Sequence, residues 1–210
     1  MTNLKKNAIE NIKGQYFSEG AYLMFFCIIS SFLCIAMLII AFKNINSIDN
    51  ESGLIFIIFS IIFGCSAFFF GKPAITSLHY YYNPHECNIC RIYGNIDNII
   101  EEINKTYWHD DPTMVISKNY IISKVDYRNL FLYDNILGIY IQQHKTNHIT
   151  DKYKLIVTDK YNNIAEFCYL PQDKMTMEET YSTLIKRCKN AKFGYTQETL
   201  QYIKNNIKNI

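Results

Sequence analysis

Cys87 and Cys90, spaced as Cys-x-x-Cys and preceded by His85 and Glu86, are the residues in this chain whose types and spacing point most sharply to chemistry. Two thiolates three positions apart can share a metal ion, with zinc as the candidate cofactor and His85 as a third ligand. A closed tetrahedral site takes four ligands, so His79, or the same residues of a second subunit, would have to complete it. The pair can instead be a redox couple in which one thiol has a lowered pKa. The strand-helix-strand surroundings of a thioredoxin-like domain do not accompany it. Ordinary juxtamembrane cysteines are the third reading.

Other polar clusters read more simply. His109-Asp110-Asp111 stands before Pro112, where polar residues commonly end a helix and open a turn. His144 and His148 fall in a polar stretch between two strand-like runs and read as a solvated loop. No Gly-x-Ser-x-Gly elbow is present, and neither Cys168 nor Cys188 has a sequence neighbour that would activate it. Gly-rich phosphate loops are likewise missing. The chain is therefore expected to be non-enzymatic and to carry no resident cofactor, with a small hydrolase as an alternative that still lacks a nucleophile. Lys186, Arg187, Lys189 and Lys192 form a basic run that can meet anionic lipid headgroups, although cations also favour a helix C-terminus for electrostatic reasons.

The elements that must position these residues begin with two uncharged apolar runs, Ala21–Phe42 and Leu54–Gly71. About 20 helical residues cover the roughly 30 Å of a bilayer's hydrocarbon, so both runs read as spans of a transmembrane hairpin over 21–71. The first run lacks the small-residue exit of a secretory signal and is followed by a second, so both are expected to be retained. Lys5, Lys6 and Lys13 before the first span, and Lys72 after the second, outnumber the single Lys43 of the connecting loop. Positive charge collects on the cytoplasmic side, which predicts a multi-pass protein of the cell membrane with both termini in the cytoplasm. Ser30, Ser31, Ser60, Gly64 and Ser66 would let the two helices approach closely. Neither span carries an ionisable acid or base of the kind that marks ion or proton pathways. Residues 1–20 place Leu4, Ala8, Ile12 and Tyr16 along one face and predict an interfacial helix.

Residues 72–112 read as a juxtamembrane linker and an amphipathic helix, since Ile96, Ile99, Ile100, Ile103 and Tyr107 recur at helical spacing. Residues 113–210 read as a soluble domain of about six strands followed by helices. Met114–Ser117 and Tyr120–Ser123 flank Lys118-Asn119 as a tight hairpin. Asn129–Tyr133, Ile136–Gln143, Tyr153–Val157 and Ile164–Leu170 follow, the last across a turn at Asp159–Asn163. Ile136 and Gly138 alternate against Leu137 and Ile139. Met177, Tyr181, Leu184, Ile185 and Cys188 then mark a helix, with Thr176 and Glu179 as a capping box. Thr196 opens a last helix, with Tyr195 and Leu200 as a hydrophobic staple. The fold class is an α+β membrane protein: a two-helix hairpin, then a small antiparallel meander with flanking helices.

The order of "ISKNYIIS", "LFLYDNILGIYI" and "KLIVTDKYNNIAEF" and a closing helix resembles the small pleckstrin-homology-like (PH-like) domains of bacterial membrane proteins. With the two spans and the ending "NAKFGYTQETLQYIK", the chain is similar to uncharacterised two-span proteins of low-GC, Gram-positive-like bacteria. That resemblance implies a curved, partly open barrel plugged by the helix near Glu178–Cys188, and it brings no established activity or site residues. The first hairpin carries only Lys118 and Lys124, which argues against inositol-lipid binding.

A formal charge of +2 argues against nucleic acid as a partner, because non-specific affinity needs several cations on phosphates. Seven cysteines, an odd number with no framework spacing, fit a reducing compartment. The expected partners are the lipid bilayer and either a protein or a second copy of the chain. The expected function is that of a membrane-anchored binding or adaptor protein. The alternative from another class is a metal- or redox-responsive sensor that uses Cys87 and Cys90.

Overall fold

The computed structural model describes residues 8–45, 50–106, 109–146 and 149–208. The chain divides into two compact units, Ile9–Gly94 and the part from Asn95 onward.

The first unit is built on two long helices, α1 (Ala8–Ile45) and α2 (Asn50–Tyr82). Within them, Ile9–Lys43 and Leu54–Tyr82 are long and apolar enough to cross a membrane. Their large side chains point outward; Phe69 is 75% exposed and Phe32 70%. A core helix of a water-soluble domain would hide such groups. At about 1.5 Å per residue, α1 is about 57 Å long and α2 about 50 Å, well beyond the roughly 30 Å of hydrocarbon. From Ala8 the backbone runs unbroken into the first apolar run, and residues 1–7 of the interfacial helix expected over residues 1–20 lie outside the described part. Likewise α2 does not stop at Gly71 but passes through Pro73 to Tyr82.

The helices meet along small residues. A Cβ on Gly64 would lie 3.5 Å from the Cys34 sulfur, and one on Gly71 would lie 3.4 Å from the Cys27 sulfur. Ser30 and Ser60 are buried. Such residues let backbones approach closely and gain dispersion contact where lipid offers no hydrophobic drive. After α2 come a 3-10 turn, Pro84–Glu86, and the short α3 (Asn88–Tyr93), which ends at Gly94 with φ of 77°.

The second unit opens with α4 (Ile96–Thr106), whose four isoleucines are all buried. Tyr107 and Trp108 lie outside the described residues. One four-stranded antiparallel sheet follows in the order β1 (His109–Asp110), β2 (Met114–Ile116), β3 (Tyr120–Ser123), β4 (Leu130–Leu132). The β2–β3 pair is the hairpin expected around Lys118-Asn119, with Ile116 opposite Ile121. Asn119 donates from Nδ2 to Glu102 Oε1 at 2.9 Å, tying α4 to this hairpin. The isoleucines of α4 and the strand row Val115, Ile122 and Leu130 are all buried.

The second sheet has the order β7-β6-β5-β8, from β5 (Ile136–Thr146), β6 (Ile149–Asp159), β7 (Ile164–Tyr169) and the two-residue β8 (Lys192–Phe193), which pairs parallel to β5. The strands stay in two sheets and close no barrel. Between the sheets and α5 (Lys174–Arg187) sits one core that includes Ile121, Phe131, Ile139, Leu155, Phe167, Met177 and Leu184. Burying each such side chain is worth about 1.5–3 kcal/mol.

Two local expectations change. A bulge in β5 between Ile136 and Gly138 shifts the alternation, so Ile136 joins Ile139 on the core side. Helix α5 begins at Lys174, after the 3-10 turn Pro171–Asp173, so Thr176 is not its cap. Tyr195 stacks on Tyr140, with ring centroids 5.2 Å apart. The cap at Thr196 holds: its hydroxyl accepts from the Thr199 amide at 3.1 Å and starts α6 (Gln197–Asn206). Helix α6 covers the outer side of the second sheet, where Ile203 fills the space that a Cβ on Gly138 would need.

Candidate functional site

The first turns of α1 and the last turns of α2 pack as a stem. Tyr16 lies against Tyr80 and Phe17 against Tyr81, each pair 5.1 Å between ring centroids. Ile12, Gly20, Ala74 and Ser77 are buried between the helices. Below them the 3-10 turn is braced by His79 Nε2, 2.8 Å from Glu86 Oε2. This turn delivers Cys87 to the start of α3, where its carbonyl accepts from the Arg91 amide at 3.0 Å.

Cys87 and Cys90 are 0% and 6% exposed, and both are free thiols. The Cys90 thiol donates to the Cys87 sulfur, and the Tyr16 hydroxyl donates to it from α1. Cys87 makes no formal side-chain cap, yet the amides of Ile89 and Cys90 also favour charge on its sulfur. The Cys90 thiol is the largest influence, and together these donors outweigh burial and lower the Cys87 pKa to about 6. Cys87 is thus held as a thiolate at neutral pH, with a second thiol bonded to it.

His85 does not join them. It is exposed on the 3-10 turn, whereas both cysteines face inward. His79 is engaged by Glu86, and Asn83 reaches its other ring nitrogen at 3.5 Å. Among the described residues no group of three or more His, Cys, Asp and Glu side chains is placed to hold a metal ion. The set Cys87, Cys90 and His85 is therefore not assembled, because a three-residue turn cannot direct His85 and Cys87 to the same side.

The basic run divides as well. Lys186 and Arg187 end α5 and Lys189 follows it, all exposed. Lys192 instead lies 3.3 Å from Glu198 and over the Tyr202 ring. His144 is in β5, paired at 2.9 Å with Asp151, and His148 is outside the described residues.

One polar residue has a role that its neighbours in sequence do not announce. Asp111 is fully buried and accepts four hydrogen bonds: from the Thr113 amide at 2.8 Å and hydroxyl at 2.7 Å, from the Tyr169 hydroxyl at 2.9 Å, and from the Thr180 hydroxyl at 2.8 Å. The turn to Thr113 is the Asx pattern expected before a strand. The bonds to Tyr169 and Thr180 connect it to β7 and α5. Both oxygens are saturated, so the carboxylate acts as a clamp joining the two sheets and the helix. Burial and the neighbouring Asp111 charge push the Tyr169 hydroxyl well above its ordinary range. Cys188, deep in the core beside Asp134, is pushed up to about 12 and stays a thiol.

No protein-family model, curated protein or solved structure matches the chain. Its chemistry must be read from its own side chains and strand edges.

The longest end strand is β7. Its burial alternates, with Ala165, Phe167 and Tyr169 inward and Ile164, Glu166 and Cys168 outward. Edge strands are usually guarded by proline, lysine or an unpaired inward charge. β7 has neither proline nor lysine, and its only charge, Glu166, is paired with Lys154 of β6. No strand lies beyond it among the described residues. Leu170, 53% exposed, continues the apolar line.

Proposed function

We propose that this chain is a non-enzymatic, membrane-anchored binding protein. Helices α1 and α2 fix it in the cell membrane with both termini in the cytoplasm. A pleckstrin-homology-like unit engages an extended segment of a protein partner, or of a second copy, along β7. The observation that carries this reading is the unguarded β7 edge. The outer main-chain groups of β7 would supply hydrogen bonds for an added strand, and the outward side chains Ile164, Glu166 and Cys168 stand at every second position for contact with it.

The membrane half rests on two exposed apolar helices longer than a bilayer is thick, with lysines before the first and after the second. The PH-like half rests on two small sheets that share a core with α5. That core is filled by Phe131, Phe167 and Tyr169, which directs recognition to the outside of the unit.

The test compares the full-length protein with an Ile164→Lys, Cys168→Lys variant, both extracted from native membranes in mild detergent. The wild type migrates as an assembly larger than one chain on native electrophoresis, and the variant, equally folded by circular dichroism, migrates as a single chain. Equal migration of the two rejects the edge as the contact.

A further inference from the structure

Resting on the reading of β7 as a binding edge, we infer that its occupant is β7 of a second copy of this chain. The two strands run antiparallel and centre on Phe167, so that Glu166 of each copy faces Cys168 of the other. The main chain limits the choices first. The Asp159 amide donates to the Asn163 carbonyl at 3.1 Å, which closes the β6–β7 hairpin. From there the register runs without a shift, with Ala165 opposite Val157, Phe167 opposite Leu155 and Tyr169 opposite Tyr153. Bonded and non-bonded pairs alternate in an antiparallel ladder, so these three residues bond to β6, and the main-chain groups of Ile164, Glu166 and Cys168 face away from it. A second β7 can bond only where its own outward-facing residues meet these.

Side chains then choose among the registers that satisfy this rule. Centred on Glu166, a symmetric pair sets two carboxylates directly opposite, which is destabilising. Centred on Cys168, it sets Glu166 against the apolar Leu170 and puts Ile164 against Gln172, outside the partner strand. Centred on Phe167, it joins Ile164 to Leu170 at both ends, side chains that are 56% and 53% exposed in one copy. The Leu170 carbonyl accepts from the Asp173 amide at 2.9 Å, so the added ladder ends at that residue.

Charge selects the same register. Lys154 stands beside Cys168 in the β6–β7 ladder, and its ammonium pairs with Glu166 of its own β7. Across the join, this row continues from Lys154 through Cys168 to Glu166 of the second copy. At about 4.8 Å per strand, the backbones of that lysine and that glutamate lie about 10 Å apart, within joint reach of the two side chains over the small cysteine. Each lysine thus serves two carboxylates, one in each copy, and the two-fold symmetry repeats the contact. The two four-stranded sheets become one continuous sheet.

Full-length Glu166→Cys, Cys168→Ser protein carrying a heavy nitrogen isotope is mixed with unlabelled wild type in detergent, reconstituted in bilayer vesicles and oxidised by copper phenanthroline in air. Residues of a bonded antiparallel pair have Cα atoms about 5.5 Å apart, inside the range that a disulfide spans. The expected product is a disulfide from position 166 of the labelled chain to Cys168 of the unlabelled one, roughly fivefold or more over links between like positions, which stand two residues out of register. Glu166→Lys should weaken the pair roughly tenfold by sedimentation in detergent, and Lys154→Glu added to it should restore most of the loss. The inference is overturned by an excess of links between like positions, by no link to Cys168, or by wild type that sediments as a single chain. An assembly with a different protein that is lost with Ile164→Lys also overturns it but keeps β7 as a binding edge. An assembly unchanged by Ile164→Lys, Cys168→Lys rejects the edge and the second copy together.

Discussion

Gly71 of α2 faces the Cys27 sulfur of α1 so closely that a Cβ there would sit 3.4 Å from it. Seven residues along each helix, in opposite directions, Gly64 meets Cys34 in the same way, and Gly20 meets Leu78 at the other end. Heptad spacing on both strands of an antiparallel pair is the signature of a coiled-coil seam. Here small residues fill one side of each layer. The seam runs from the apolar region into the stem, so the arrangement of the stem is tied to that of the apolar turns of both helices.

Gly20 is the tightest layer, since a Cβ would come within 2.9 Å of Leu78 Cγ. Gly20→Leu should destabilise the hairpin by about 1–3 kcal/mol through overpacking. Leu78→Ala in the same chain should recover much of that loss. Thermal unfolding of the purified protein in detergent measures both.

Removing the charge at Asp111 should weaken the joint between the sheets and α5. Asp111→Asn turns an amide toward hydroxyl and amide donors and should cost about 2–3 kcal/mol, while Thr180→Val, which removes one bond, should cost about 1 kcal/mol. Urea titration followed by the fluorescence of Trp108, the single tryptophan, reads the difference.

Gly138→Val places a branched side chain where Ile203 sits on the outer side of β5. Helix α6 should loosen while the core between the sheets persists. Limited trypsin digestion should then cut at Lys204 several times faster than in the wild type, with the rest of the unit resistant.

Much of the second unit is legible in its local sequence patterns. The β2–β3 hairpin, the isoleucine stripe of α4 and the Thr196 cap all follow from local patterns, and each is present. What local patterns miss is set by residues distant in sequence. Ile136 changes side because of a bulge that only its pairing with β6 reveals. Asp111 looks like a turn residue until Tyr169 and Thr180 are brought to it. The Cys87–Cys90 pair is visible as a spacing, but Tyr16, which gives it a third donor, lies on another helix. The apolar runs mark the two long helices yet understate their length, since the stem residues Tyr16, Tyr80 and Tyr81 are amphipathic and carry no hydropathy signal.

The thiols should separate cleanly by pH. Cys87, with a pKa near 6, should reach its full alkylation rate by about pH 7, and Tyr16→Phe should move the inflection upward. Cys188 should remain unmodified up to about pH 9 while the protein is folded. The Cys87 pKa is lower in the folded state than the ordinary thiol value of about 8.5, so its stabilisation is fully present above about pH 8.5 and lost as pH falls through about 6. The thermal midpoint should therefore rise between pH 5.5 and 9 by an amount that Cys87→Ala abolishes.

The most direct test of β7 as a binding edge is photo-crosslinking from Cys168 in native membranes, using a thiol-reactive benzophenone on full-length protein, with Lys189→Cys in a Cys168→Ser background as the control position. The account predicts one discrete adduct from Cys168, to a single protein or to a second copy of the chain, that disappears with Ile164→Lys and is not formed from position 189. Identical adducts from both positions, or none from Cys168 in membrane-bound protein, would contradict it.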